Sequence, residues 1–247
     1  MNALRLLLDP PQDGGTNMAV DEVLLASAAA GQSTLRFYQW TPATLSLGYF
    51  QPAASRDEHL PSRSSPLVRR ASGGGAILHD HELTYSFAVP AANRFSQDAE
   101  RYYDLFHATL IETLTEWKVS AALFRDLPAT GRPAKEDAFL CFQRRTANDV
   151  VLNGWKIAGS AQRRHGGALL QHGSVLLARS RFAPELLGIA EIAAVQISAA
   201  VLAAAWLRRL AKALEVEPQR GGLSAAEQAA VPAERERFVA DAWTLRR

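Results

Sequence analysis

The chain has 247 residues, with 27 Lys and Arg against 25 Asp and Glu and 48% hydrophobic side chains. That suits one large domain or two small ones with a proper core, and 16 Gly and 12 Pro are too few for a low-complexity chain. A formal charge of +2 leaves no basic footprint for nucleic acid, and the longest apolar run, 199–207, is far short of the roughly 20 residues of a membrane span. One cysteine forbids an internal disulfide and fits a reducing, cytoplasmic home.

In chain order, the opening MNALRLLLDPPQDGG is broken by Asp9 and two prolines and does not read as a signal peptide. Thr16 or Asn17 is placed to cap a helix from Met18 to about Ala30, with Gly31 as its stop. A β-rich block follows. Thr34–Trp40 alternates at period two, Thr44–Tyr49 is strand-like, and Thr41-Pro42-Ala43 supplies the turn between them. Pro66–Arg70 and Ala76–Leu78 are short strands flanking a glycine triplet, and Leu83–Val89 alternates again. Ala99–Trp117 carries a helical apolar stripe.

Residues 120–138 form a poorly patterned connection. A second β-block is predicted at Phe139–Phe142, Asp149–Leu152, Trp155–Gln162 and Ala168–Leu177, with Asn153-Gly154 as a type I′ hairpin signal. The tail is helical near Ser198–Leu214 and Ser224–Val239. With no internal repeat and no separating linker, residues 1–247 read as a single domain with a core at 15–180 and a helical C-terminal part at 181–247. The predicted class is α+β, with a mixed, largely antiparallel sheet flanked by helices.

Four segments could carry chemistry. In Arg69-Arg70-Ala71-Ser72-Gly73-Gly74-Gly75-Ala76, followed by His79-Asp80, the glycines open backbone torsions closed to other residues and the arginines could neutralise a phosphate. A plain flexible turn is the alternative. The spacing is neither a P-loop nor a dinucleotide fingerprint. In Trp155-Lys156-Ile157-Ala158-Gly159-Ser160-Ala161, Lys156 faces opposite to its apolar neighbours and could hold an acyl carbonyl as a fixed positive charge, or lie on the surface. The small Gly159, Ser160 and Ala161 leave room for a ligand or another backbone. His172-Gly173-Ser174 offers a strand histidine that serves either a core or a site. Cys141 is an inert small hydrophobe unless a nearby cation favours its thiolate. No CxxC, HExxH or carboxylate–histidine cluster occurs, so no metal site is expected.

Taken together, Asn17-Met18-Ala19-Val20-Asp21-Glu22, Leu45-Ser46-Leu47-Gly48-Tyr49-Phe50-Gln51, Arg69–Asp80, and Lys156–Gln162 with His172-Gly173-Ser174 resemble, over about residues 15–180, the biotin/lipoate protein ligase superfamily. The closest branch is that of the lipoate-protein ligases A and the cysteine-dependent octanoyltransferases. The resemblance implies an acyl chain in a tunnel beside the glycine motif, Cys141 and Lys156 as catalytic residues, and acyl or nucleotide contacts from Arg69, Arg70, Ser72, Gly73, Gly74, Gly75, His79, Gly159, Ser160, Ala161, His172 and Gly173. The implied activity is octanoyl or lipoyl transfer from acyl carrier protein, through a Cys141 thioester, to the acceptor lysine of lipoyl domains of 2-oxoacid dehydrogenases or of glycine-cleavage H protein. It needs no cofactor. Leu140-Cys141-Phe142, resembling the nucleophile segment, and the short tail after residue 180 favour this transferase.

Asn148-Asp149 instead resembles the pattern of the alternative, an ATP- and Mg-dependent lipoate-protein ligase that could use a separate accessory chain. His79 and His172 are candidate proton acceptors. The stretch Arg125–Arg164, with eight Lys/Arg against four Asp/Glu, could steer acidic carrier proteins or lipoyl domains. A catalytically silent acyl-binding or partner-binding module is the alternative of another class, opposed by the joint presence of the glycine motif, Lys156 and Cys141. No nucleic-acid or membrane partner is expected.

Overall fold

The computed structural model describes residues 2–90, 99–128 and 137–246. Strand β1 (Asn2–Leu8) leads into helix α1 (Gly14–Ala29). The helix begins four residues ahead of the predicted Met18 because Asp13, not Thr16 or Asn17, caps it. The Asp13 carboxylate accepts from the Thr16 amide at 3.1 Å and from the Thr16 hydroxyl at 2.6 Å. Gly31, at φ +104°, follows the helix as predicted.

Then come β2 (Thr34–Tyr38), β3 (Thr44–Leu47), β4 (Leu67–Arg69), β5 (Ile77–His79), β6 (Glu82–Pro90), α2 (Ala99–Leu114), β7 (Ala122–Leu123), β8 (Val150–Leu152), β9 (Trp155–His165), β10 (Ala168–Leu176), α3 (Ile189–Ala193), α4 (Ala199–Leu214), β11 (Val216–Arg220), α5 (Ala225–Val239) and α6 (Asp241–Thr244). The large sheet has the order β11-β1-β2-β6-β10-β9-β8-β7, and a small sheet has the order β4-β3-β5. In the large sheet β1 runs parallel to β11 and β2 and the other pairs are antiparallel, which is the mixed, largely antiparallel arrangement expected. Asn153 and Gly154, at φ 47° and 78°, make the predicted primed turn between β8 and β9.

Both faces of the large sheet are covered. On one, Leu35, Phe37, Leu83, Tyr85 and Phe87 pack with Phe106 and Leu110 of α2 and Leu202 and Trp206 of α4. On the other, Val20, Leu24 and Leu25 of α1 meet Leu7, Ala88 and Leu170. Double coverage explains why every residue of β2 is buried although its sequence alternates. The α1 side also carries the small sheet, and the cleft lies between the two sheets. At the C-terminal end, Ser224 caps α5 with a capping box. Glu227 of α5 binds Arg5 of β1 and Ser27 of α1, each at 2.6 Å.

Two expectations change. The C-terminal part is not helical throughout: β11 adds an edge strand beside β1, and Pro218 is tolerated there because an edge leaves one row of N–H positions unpaired. The predicted strand Phe139–Phe142 is a single parallel bridge, Leu140 to Ala76, followed by a 3-10 turn at Cys141–Gln143. The Cys141 amide donates to the Ala76 carbonyl at 2.7 Å, and the chain then turns back as Gln143 and Arg144 donate to Leu140 and Cys141. Part of the irregular 120–138 connection lies outside the described residues. No helix among the described residues is long and apolar enough to cross a membrane.

Candidate active site

Pairing across the large sheet sets one row of side chains facing the small sheet. Tyr38 lies opposite Thr84, Thr84 opposite Ser174, and Ser174 opposite Gly159, while His172 lies opposite Ala161. Residues directly opposite in an antiparallel pair share a face, so these positions floor one cleft. Met18, Trp40, Ile77 and His79 line it as well, and Gly73, Gly74, Cys141 and Phe142 lie along its small-sheet side. Counting its open mouth, the cleft holds about 510 Å³ of empty space.

Lys156 reaches this cleft through an irregularity. Val150 pairs with Ala158 and Val151 with Lys156, so Ile157 is an extra residue on β9. Ile157 and Ala158 both enter the core beneath α2. Lys156 and Gly159 thus share the cleft side although three residues apart. The side chain of Lys156 passes over Gly159, where a Cβ would stand 2.6 Å from Cε and 2.8 Å from Nζ. Its ammonium lies 2.8 Å from Asp149 Oδ2 and 3.8 Å from Cys141 Sγ. Asp149 Oδ2 also accepts from the Thr146 amide at 2.7 Å. Lys156 and Asp149 are buried, whereas Cys141 is half-buried.

The glycine motif shapes the wall beside the thiol. Gly74 has φ +95°, a torsion that favours glycine. A Cβ on Gly75 would lie 3.1 Å from the Cys141 Cα and N, so Gly75 admits the Cys141 segment rather than lining the cleft. Arg70 donates to the carbonyls of Gly73 at 3.1 Å and Gly75 at 2.8 Å, and to the backbone and hydroxyl oxygens of Ser46. Burial pushes its guanidinium down to about 10, still charged at neutral pH.

Arg69 corrects the expectation. It points the other way along its strand, is fully buried, and donates to the carbonyls of Gly48, Gln51 and Thr244, tying α6 to the loop over the glycines. Neither arginine stands open to a phosphate. Ser72 is likewise behind the wall, 2.5 Å from His172 Nε2. Of the anticipated residues, Cys141, Lys156, Arg70, Gly73, Gly74, His79, Gly159, Ser160, Ala161, His172 and Gly173 line the cleft, and Arg69, Ser72 and Gly75 do not.

The two histidines proposed as proton acceptors are engaged. His79 stacks on Trp40 at 3.8 Å between ring centroids, and its nitrogens meet Ser46 Oγ at 2.7 Å and Glu82 Oε1 at 2.6 Å. Burial holds its pKa below the ordinary value, against the pull of Glu82. His172 sits between Ser72 and Asp21, with Nδ1 3.7 Å from Asp21 Oδ2. Burial would raise Asp21, but His172 and the Arg36 charge outweigh it and hold the carboxyl below its usual range.

Two residues were missed as site members. In sequence Asp149 stands only as part of the Asn148-Asp149 dipeptide, and its partner Lys156 becomes visible once the hairpin is formed. His107, on α2, gave no sequence signal. Of the basic stretch, Arg132, Lys135 and Glu136 lie outside the described residues. Arg125 is bound to Asp104 and Arg163 to Glu22, while Lys156 is buried in the cleft and takes no part in the anticipated docking face.

With this geometry in hand, residues 13–184 match the family model "Lipoyl protein ligase A/B catalytic domain". The chain is 31% identical over 274 aligned positions to an octanoyltransferase LipM of Kyrpidia tusciae, covering 100% of both chains. It is 33% identical over 277 positions to the octanoyltransferase LipM of Brevibacillus brevis, again over 100% of both. Among solved structures, a bi-partite lipoate protein ligase from Thermoplasma acidophilum superposes with a TM-score of 0.76 at 20% identity, covering 99% of this chain and 97% of that one. That likeness carries the fold.

Proposed function

The chain belongs to the lipoyl protein ligase A/B catalytic-domain family, and we infer that it is an octanoyltransferase of protein lipoylation working through a thioester on Cys141. The observation that carries this reading is the meeting of a thiol and an ammonium, 3.8 Å apart, at a cleft floored by the small residues Gly159 and Ala161. Similarity to octanoyltransferases over the whole chain supports it. The floor leaves space for an alkyl chain, whose burial supplies about 0.8 kcal/mol per methylene.

In the first half-reaction the Cys141 thiolate attacks the carbonyl carbon of an octanoyl thioester. The Lys156 ammonium offers its charge to the developing oxyanion, a group of the kind that lowers such barriers when fixed in advance. The donor's C–S bond breaks and the departing thiolate takes up a proton, leaving S-octanoyl Cys141. In the second, the neutral amine of an acceptor lysine attacks the new thioester, an amide forms, and Cys141 leaves as thiolate while the amine passes a proton to solvent. Asp149 holds Lys156 throughout and fixes the direction of its charge. Octanoyl acyl carrier protein is the proposed donor, and a lipoyl domain or glycine-cleavage H protein the acceptor.

This scheme consumes no nucleotide, which separates it from the ATP- and Mg-dependent ligase. The test is transfer to a purified apo lipoyl domain from octanoyl acyl carrier protein without ATP, beside free octanoate with ATP and Mg. Modification in the first arm is expected. Modification confined to the second would overturn the assignment.

A further inference from the structure

Behind the cleft floor, on the face covered by α2, a row of polar side chains runs unbroken across three strands. Gln162 Nε2 donates to Gln171 Oε1 at 2.7 Å, and Gln171 Nε2 donates to the Tyr85 hydroxyl at 2.8 Å. The hydroxyls of Tyr85 and Ser160 meet at 2.7 Å, and Ser160 Oγ lies 2.7 Å from His107 Nε2. His107 Nδ1 is bound to the Asn148 carbonyl. The register places the row: Gln171 lies opposite Gln162, and Gly173 opposite both Ser160 and Tyr85, one step out of phase with the cleft-facing His172 and Ser174.

The direction of the row follows from its ends. A carbonyl only accepts, so His107 Nδ1 carries the proton. Burial pushes His107 down to about 4, so the ring is neutral and Nε2 accepts. Ser160 then donates to His107, Tyr85 to Ser160, and Gln171 to Tyr85, so each hydroxyl both donates and accepts. Gly173 gives the row its clearance. A Cβ there would lie 2.5 Å from Ser160 Oγ and 2.7 Å from Tyr85 Cε1.

The row ends one residue before Asp149. We propose that His107 is a positioning residue for acyl transfer: by anchoring the Asn148 carbonyl to the far face of the sheet, it holds the Asn148–Asp149 turn where Asp149 keeps the Lys156 ammonium facing Cys141. The inference rests on the thioester reading above and adds a residue that touches neither substrate nor sulfur. Small displacements of a charged group from its reacting geometry are costly, about a hundredfold in rate for a misplacement near 1 Å. His107 itself is buried and is not among the residues lining the cleft.

The test is single-turnover octanoylation of Cys141 across a range of donor concentrations, for wild type, H107L and H107Q, with a thermal melt of each. Leucine fills the site and makes neither bond. Glutamine can place an N–H toward Asn148 and an oxygen toward Ser160. H107L is expected to slow acylation roughly ten- to hundredfold with the half-saturating donor concentration unchanged, and H107Q to recover most of the rate. Acylation by H107L at the wild-type rate would overturn the inference, as would a loss expressed in donor saturation, or H107Q as slow as H107L with both melting cooperatively. Should H107L fail to fold, H107N replaces it, since the shorter amide cannot span both partners; a rate equal to that of H107Q overturns the proposal. Absence of an adduct on wild type sinks the thioester reading and this inference with it. A wild-type adduct with unaffected variants sinks the inference alone.

Discussion

The ammonium of Lys156 stands between a carboxylate at 2.8 Å and a sulfur at 3.8 Å, and its place depends on one missing methyl group at Gly159. Replacing Lys156 by Met removes the charge while keeping the bulk, and the transfer rate should fall about 100- to 1000-fold, as for loss of one oxyanion donor. Gly159→Ala makes a sharper prediction. Its Cβ would meet the flexible end of Lys156 and, at 3.0 Å, Asp149 Oδ1, side-chain ends rather than backbone, so the melting temperature should stay near wild type while the rate falls. Steady-state kinetics beside thermal melts check both. Cys141, Lys156 and the glycine motif were legible as residue types in sequence. Arg69 and Arg70 read alike there, yet successive residues of extended backbone face opposite ways, and Arg69, ending β4, became a strut toward α6 while Arg70, just past it, shaped the glycine loop. His107 was invisible because a single histidine on a helix has no meaning until the sheet behind it is assembled.

At the scale of elements, the cleft wall depends on two backbones in close approach. A Cβ on Gly48 would come 1.9 Å from the Gly74 carbonyl oxygen, and backbone cannot step aside as a side chain does. Gly48→Ala should therefore cost about 1–3 kcal/mol by overpacking, lowering the melting temperature by roughly 2–4 °C per kcal/mol, and should also reduce transfer. Unchanged melting and activity would show that the loop over the glycines is slack. Strands β2 to β6 and helices α2, α4 and α5 were legible because their patterns, caps and turns are local. The extra residue in β9 was not, since a bulge shows only against the partner strand. Nor was the 3-10 turn at Cys141, where an apolar Phe139–Phe142 run mimics a strand and one bond to Ala76 decides otherwise.

For the molecule as a whole, His107 and Glu227 are among the buried groups that make stability depend on pH, beside His79 and Asp21. Burial pushes His107 from its ordinary 6.5 down to about 4 in the folded chain. Between those values the unfolded chain binds more protons, so stability should fall as pH drops from 6.5 toward 4. Glu227, lowered from 4.5 to about 2 because the bonds from Arg5, Ser27 and Ser224 outweigh burial, adds stability that is full above 4.5 and is lost as pH falls toward 2. Thermal melts across this range should show H107Q flattening the upper part of the decline and E227Q the lower part. A wild-type curve flat from 6.5 to 4 would contradict the buried neutral His107. The joining of the two ends of the chain, β1 beside β11 with Glu227 bonded to Arg5 and Ser27, could not be read from sequence. Its partners lie some two hundred residues apart and β11 is mostly exposed, so no apolar pattern marks it.

The most direct measurement is the intact mass of the protein after incubation with octanoyl acyl carrier protein in the absence of nucleotide, followed by addition of an apo lipoyl domain. One octanoyl group should appear on wild type, map to Cys141, be absent from Cys141→Ser, and pass to the acceptor lysine. An unmodified wild-type protein that nonetheless octanoylates the acceptor, or a Cys141→Ser variant with full activity, would contradict the thioester account.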